Sequence, residues 1–182
     1  MKKVLLASVL SIGLISSLSA YELNGDLGVK WTGYKTEKKA PVSGTFNDIK
    51  FDIKASDDLS TFLKSSMVTI EATSLESKNP GRNLNMTSTL FSLASSKLIK
   101  GTILEVNEMK KSLTLNVTMN EVTKAIPMMY EISDSKIVAK GSIDILNFDM
   151  KSSFIEFAKK CAALHQNKSF SEVGIEFTIP YK

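Results

Sequence analysis

The sequence predicts an all-β fold with short helices: an eight-stranded antiparallel barrel with one or two flanking helices. Three observations predict it. Apolar residues recur at every second position over most of the chain beyond residue 20. Most stretches between these alternating runs are too short for the crossovers that parallel strands need. The runs are apolar on one face only, and closing a sheet on itself buries that face while removing the exposed edges.

The first twenty residues stand apart. Lys2 and Lys3 give a positive start, Val4 to Leu18 is an apolar run rich in small residues, and Ser19-Ala20 offers a small residue for cleavage. This reads as a secretion signal over 1–20, cut near Ala20. The run falls short of the ~20 residues a membrane span needs. Residues 21–182 then form one domain in an exported, oxidising compartment. Cleavage removes two Lys and no acid, lowering the formal charge from +4 to +2.

Alternation marks each strand in turn. Leu27, Val29 and Trp31 open the series. Val42, Gly44 and Phe46 follow, then Ile49, Phe51 and Ile53 beyond a break at Asn47-Asp48. Val68, Ile70 and Ala72 form the next run. Ile99, Gly101 and Ile103 are weaker, with Leu104 and Val106 out of phase. Leu113, Leu115, Val117 and Met119 alternate with Thr and Asn. Val122, Ile126, Met128 and Tyr130 come next, then Ile137 to Ile145. Val173, Ile175, Phe177 and Ile179 close the chain. Two segments carry helical spacing instead: residues 83–93, with Pro80 as a start signal, and residues 152–165, whose apolar stripe includes Phe154, Phe157, Cys161 and Leu164. Residues 57–64 allow one further short helix.

Composition removes many functions. One Cys (Cys161) allows no internal disulfide, and one His (His165) rules out two-His metal centres. No metal or cofactor is expected. No basic stripe interleaved with aromatics exists for nucleic acid. Cys161 and His165 lie four apart on one helix face, which raises an envelope-lipid enzyme as an alternative. A thiol inside an apolar stripe, however, behaves as a small hydrophobe. A membrane-spanning barrel would need an apolar outer face; here the outward positions are Thr, Asn, Lys and Glu, so stable membrane insertion is not expected.

Short stretches in a fixed order carry a resemblance. They are Val29-Lys30-Trp31 with Gly44-Thr45-Phe46; Val68 to Leu75; Asn79-Pro80-Gly81-Arg82-Asn83; Val122-Thr123-Lys124; Gly141-Ser142-Ile143-Asp144; and Glu172-Val173-Gly174-Ile175. From Trp31 to Ile179 the chain resembles the YceI-like family of polyisoprenoid-binding periplasmic proteins. The resemblance implies a lipocalin-like barrel in the periplasm, enclosing an apolar tunnel for an isoprenoid or similar lipid, without catalysis. Two positions depart from the family pattern: Asn83 stands where Asp is usual, and Glu121 where Gly is usual. Glu resists the positive φ that Gly supplies, so a different turn is expected there.

The tunnel lining expected on this basis is Trp31, Phe46, Phe51, Ile70, Phe91, Val117, Met128, Tyr130, Ile143, Phe148, Phe154, Phe157 and Phe177. Arg82 and Lys124 are the candidates for a polar head group. Nine Phe and eight Met suit a flexible alkyl chain. A tail of about fifteen carbons would contribute about 12 kcal/mol gross on burial. The function expected is transport, storage or sequestration of an amphiphilic lipid. A solid barrel acting as a ligand-free structural or interaction protein is the bland alternative. An exposed helix also leaves room for a homodimer.

Overall fold

In a computed structural model, residues 20–182 are described; residues 1–19 of the expected signal lie outside them. Ten antiparallel strands form one curled sheet. They are β1 (Gly28–Lys35), β2 (Ala40–Phe46), β3 (Ile49–Asp52), β4 (Met67–Glu71), β5 (Leu75–Glu76), β6 (Leu98–Asn107), β7 (Ser112–Met119), β8 (Val122–Ser133), β9 (Lys136–Asp144) and β10 (Glu172–Pro180). Their order in the sheet is β3-β4-β6-β7-β8-β9-β10-β1-β2-β5.

The count is ten among the described residues, not eight, because two long strands are each broken in the middle. Asn47-Asp48 separates β2 from β3, and the tight turn Ala72–Ser74 separates β4 from β5. Both breaks are pinned: the Asn47 N–H donates to Ser74 O at 2.9 Å and the Asp48 N–H to Ser74 Oγ at 3.0 Å. Beyond the breaks the same two chain segments stay paired, Phe46 with Leu75 on one side and Ile49 with Ile70 on the other. The outermost strands of the row, β3 and β5, are therefore continuations of β2 and β4.

Other departures from simple alternation have local causes. A register shift between Ile103 and Glu105 turns Leu104 outward, which explains the phase change read in the sequence. On β8, pairing to β9 runs from Ser133 only as far as Met129. Pro127 follows two residues away and has no N–H to donate, so the ladder opens there. The turn Ile145–Phe148 packs against β8 beside this opening, and Asn120 Nδ2 donates to Phe148 O at 2.9 Å.

Helices close the two ends. α1 (Leu59–Lys64) is capped by Asp58, whose carboxylate accepts the Thr61 N–H at 2.7 Å. That bond, with the Thr61 side chain, holds the Asp58 carboxyl below its ordinary range. α1 buries Leu59, Phe62 and Leu63 against β6. At the other end α2 (Pro80–Met86) starts at the cap Asn79 with Pro80 in its first turn, and runs on as a wider π-type turn, Thr87–Phe91. α3 (Lys151–Lys160) packs on that turn and leads into a short 3-10 turn, Ala163–His165. No helix among the described residues is long and apolar enough to cross a membrane.

The interior differs between the two ends. Near α1, Phe62, Leu63, Tyr130 and Ile137 are fully buried and Leu113 and Met128 nearly so, which makes a solid plug. Tyr21 stacks on Phe62 at a centroid separation of 5.7 Å and reinforces it. Toward α2 and α3 the inward side chains stand apart.

Candidate functional site

Between the inner strand faces and the two covering helices lies a cavity of ≈ 490 Å³. That is within the ~300–1,000 Å³ range of small-molecule sites. Its wall is built from alternate positions of successive strands: Val29 and Trp31 of β1, Ile99 and Ile103 of β6, Leu115, Val117 and Met119 of β7, and Val173, Ile175 and Phe177 of β10. The helices complete it with Met86, Leu90, Phe91, Phe154, Phe157 and Cys161.

Trp31 anchors one wall, and its neighbours explain two of the sequence stretches noted above. It faces Gly44 directly across β1 and β2. Any Cβ at Gly44 would collide with the indole and with Glu76 O, so only Gly leaves room for the ring. The indole Nε1–H donates to Thr45 O at 3.1 Å, satisfying the one polar atom of the side chain.

Space is left at the other end of β1. A Cβ placed on Gly33 would meet nothing within 4 Å, and Gly33 borders the cavity. Lys35 follows on the same inward row and borders it too. The backbones of Lys35 and Ser169 are bridged, and Ser169 Oγ is 2.8 Å from His165 Nδ1. Arg82 and Asn79 of the α2 segment share this polar margin.

Of the thirteen residues expected to line a tunnel, Trp31, Phe46, Phe51, Ile70, Phe91, Val117, Ile143, Phe154, Phe157 and Phe177 border the cavity. Met128, Tyr130 and Phe148 do not. Met128 and Tyr130 are almost fully buried among other side chains and do not reach the cavity. Burial raises the Tyr130 phenol above its ordinary range, with smaller pushes from Glu108 and Tyr21. Phe148 is fully buried in the turn that packs on β8, outside the cavity. Arg82 borders the cavity, whereas Lys124 does not: it is paired to Val117 on a stretch of β8 that has no partner on its other side, and it stays in water.

At both positions that depart from the family pattern the local hydrogen bonds are well defined. Asn83 Oδ1 accepts from the Ser77 N–H at 3.1 Å and from Ser77 Oγ at 2.6 Å, and its Nδ2 donates to Glu76 Oε1 at 3.2 Å. An Asp there would set two carboxylates against each other. The Lys78 N–H and Asn83 together lower the Glu76 carboxyl. The turn at Asn120-Glu121 does not differ as expected: Glu121 adopts φ 65° and Asn120 φ 51°. Two bonds from Asn120, to Phe148 O and from the Ser95 N–H, hold that turn in place.

Cys161 and His165 both border the cavity, but they are not poised as a nucleophile and base. Burial raises the Cys161 thiol, against weaker opposing pulls from Lys160, Asn85 and Lys35. Burial lowers the His165 imidazole, and Lys35 and Arg82 lower it further. Both shifts favour the neutral form of the group. His165 also packs edge-on against Phe157 at 5.6 Å.

Sequence reasoning missed Gly33, Lys35 and Met86 as cavity residues. The first two continue the Val29-Trp31 row at every second position, which is the signal that finds them. Met86 sits in a segment whose helix starts earlier than expected, at Pro80.

Comparison with known proteins agrees with this architecture. A polyisoprenoid-binding domain from Saccharophagus degradans superimposes with a TM-score of 0.58 at 14% identity, covering 91% of this chain and 99% of that one. BcnA of Burkholderia cenocepacia gives a TM-score of 0.60 at 15% identity, over 84% and 94%. A YceI protein of Campylobacter jejuni gives 0.52 at 17%, over 79% and 86%. These show the fold. No curated protein sequence matches. The model of the YceI-like domain matches residues 21–180, and the chain belongs to the YceI-like family.

Proposed function

We propose that this chain is an exported, periplasmic binding protein that encloses a long-chain isoprenoid or similar amphiphilic lipid, for transport, storage or sequestration. The cavity carries the reading: ≈ 490 Å³ walled mostly by Val, Ile, Leu, Met and aromatic side chains, with Lys35, Asn79, Arg82 and His165 at one margin. Such a space favours a hydrocarbon chain through desolvation alone, at about 0.8 kcal/mol per buried CH₂. The similar domain from Saccharophagus degradans is described as polyisoprenoid-binding, which supports the same ligand class here. The mechanism requires no bond-making step, and the neutral Cys161 and His165 serve as wall.

Organic extraction of the purified protein followed by mass spectrometry tests the proposal. A co-purifying lipid with a long hydrocarbon chain is the expected result. Recovery of none, together with no uptake of an added isoprenoid alcohol, would overturn it.

A further inference from the structure

The polar margin of the cavity has an uneven charge. Lys35, Arg82 and His165 all border it, all are half-buried, and both cations act on the imidazole. No carboxylate answers them among the described residues. Glu176 is the one acid bordering the cavity, and it is paired with Lys140 across β9 and β10 at 4.0 Å. Glu172 is held by Lys39 at 3.4 Å, and Glu76 by Asn83 and the Lys78 N–H. Asn83, next to Arg82, carries no charge.

The donors themselves are largely unspent. Arg82 Nη1 donates to Ser77 O at 3.2 Å, which leaves most of the guanidinium N–H groups available. His165 Nδ1 is engaged with Ser169, so Nε2 is the nitrogen left for another partner. Lys35 Nζ takes part in none of the ion pairs. Cations withdrawn from water without a counter-charge are costly, and an anion placed among them removes that cost.

We propose that the ligand of this cavity carries an anionic head group, phosphate-like in chemistry, seated among Lys35, Arg82 and His165 while its hydrocarbon chain runs inward past Trp31. This rests on the lipid-binding reading and narrows it. Arg82 offers paired N–H donors to two oxygens, and Lys35 a point charge. Gly33, with no side chain, keeps the passage beside them open.

The test compares farnesyl phosphate with farnesol, which share one hydrocarbon chain, using the fluorescence of the single tryptophan, Trp31, in the wall. Farnesyl phosphate should bind at least about tenfold more tightly, the worth of one charge-assisted hydrogen bond. Inorganic phosphate should not displace it. In the K35Q/R82Q double variant the ratio of the two affinities should fall toward one, and R82K should retain most of it. The His165 imidazole signal should shift with farnesyl phosphate and not with farnesol, a readout on the unmodified chain that stands even if the double variant folds poorly.

Equal affinities in the unmodified chain would overturn the proposal while leaving lipid binding intact. A ratio unmoved in a folded double variant would also overturn it. Displacement by inorganic phosphate would assign the site to the free anion instead. Binding of neither amphiphile would remove the lipid-binding reading and this inference with it.

Discussion

Glu121 sits in a backbone conformation that L residues with a Cβ avoid, at a cost of roughly 1–2 kcal/mol. It is kept there by the bonds of its neighbour Asn120 and by the tight connection of β7 to β8. Asn-Gly is the favoured pair for such a turn. Glu121→Gly should therefore raise Tm by about 2–4 °C, for a net gain near 1 kcal/mol after the greater freedom of Gly in the unfolded chain. Thermal unfolding followed by circular dichroism checks this, and an unchanged or lower Tm would show the turn to be unstrained. His165 is the second telling residue. Its imidazole is depressed by burial and by Lys35 and Arg82. As pH falls, the unfolded chain takes up the proton first. This contribution to stability is whole above the ordinary histidine value of about 6.5, and is lost as pH drops through the lower folded value. An NMR titration of this single histidine should place its midpoint below the ordinary value, and Lys35→Gln should move it back up. A midpoint at or above the ordinary value contradicts the account.

At the scale of elements, alternation was a faithful guide to which face of a strand turns inward. Val29 and Trp31, Leu115 and Val117, Ile175 and Phe177 all fall where period two puts them. It carries no information on depth along the strand. Met128 and Tyr130 obey the same period as Phe177 yet stop in solid packing, because depth depends on which residues of neighbouring strands arrive at the same level. The break at Asn47-Asp48 was readable from its turn residues, whereas the one at Ala72–Ser74 hid at the end of the alternating run Val68, Ile70 and Ala72. The π-type turn over Thr87–Phe91 was equally hidden, since its Thr-Ser-Thr start has weak helical preference and is held by packing against α3. The row of β1 gives the sharpest element-level prediction. Gly33 has ordinary strand dihedrals and empty space before it. Gly33→Leu should keep the fold, with Tm within a few degrees, and reduce lipid uptake at least about tenfold by filling the passage. A stable variant that takes up lipid as before would place the passage elsewhere.

For the molecule as a whole, the family stretches supply both structural joints around the cavity and part of its wall, Val29, Trp31, Ile70, Val173 and Ile175 among them. Gly44 exists for the Trp31 ring, Thr45 for the indole N–H, and Asn79 with Asn83 for the start of α2. Of the expected site residues these short motifs contain Trp31, Phe46, Ile70, Arg82, Lys124 and Ile143, and all but Lys124 border the cavity. The charged margin came from positions without a motif: Lys35 at the end of a strand, and His165 beyond the last helical turn. Neither could be joined to Arg82 before the fold brought three distant segments together.

The plug of Phe62, Leu63, Tyr130 and Ile137 makes the hollow a blind alley rather than a thoroughfare. On the proposed function, a guest that enters tail first would leave by the way it came, tail last. The floor then acts as a gauge: molecules too long to reach bottom with their heads at the rim protrude, and those too short leave unfilled space. Selection by size would then follow from the packing of residues that the guest itself never passes.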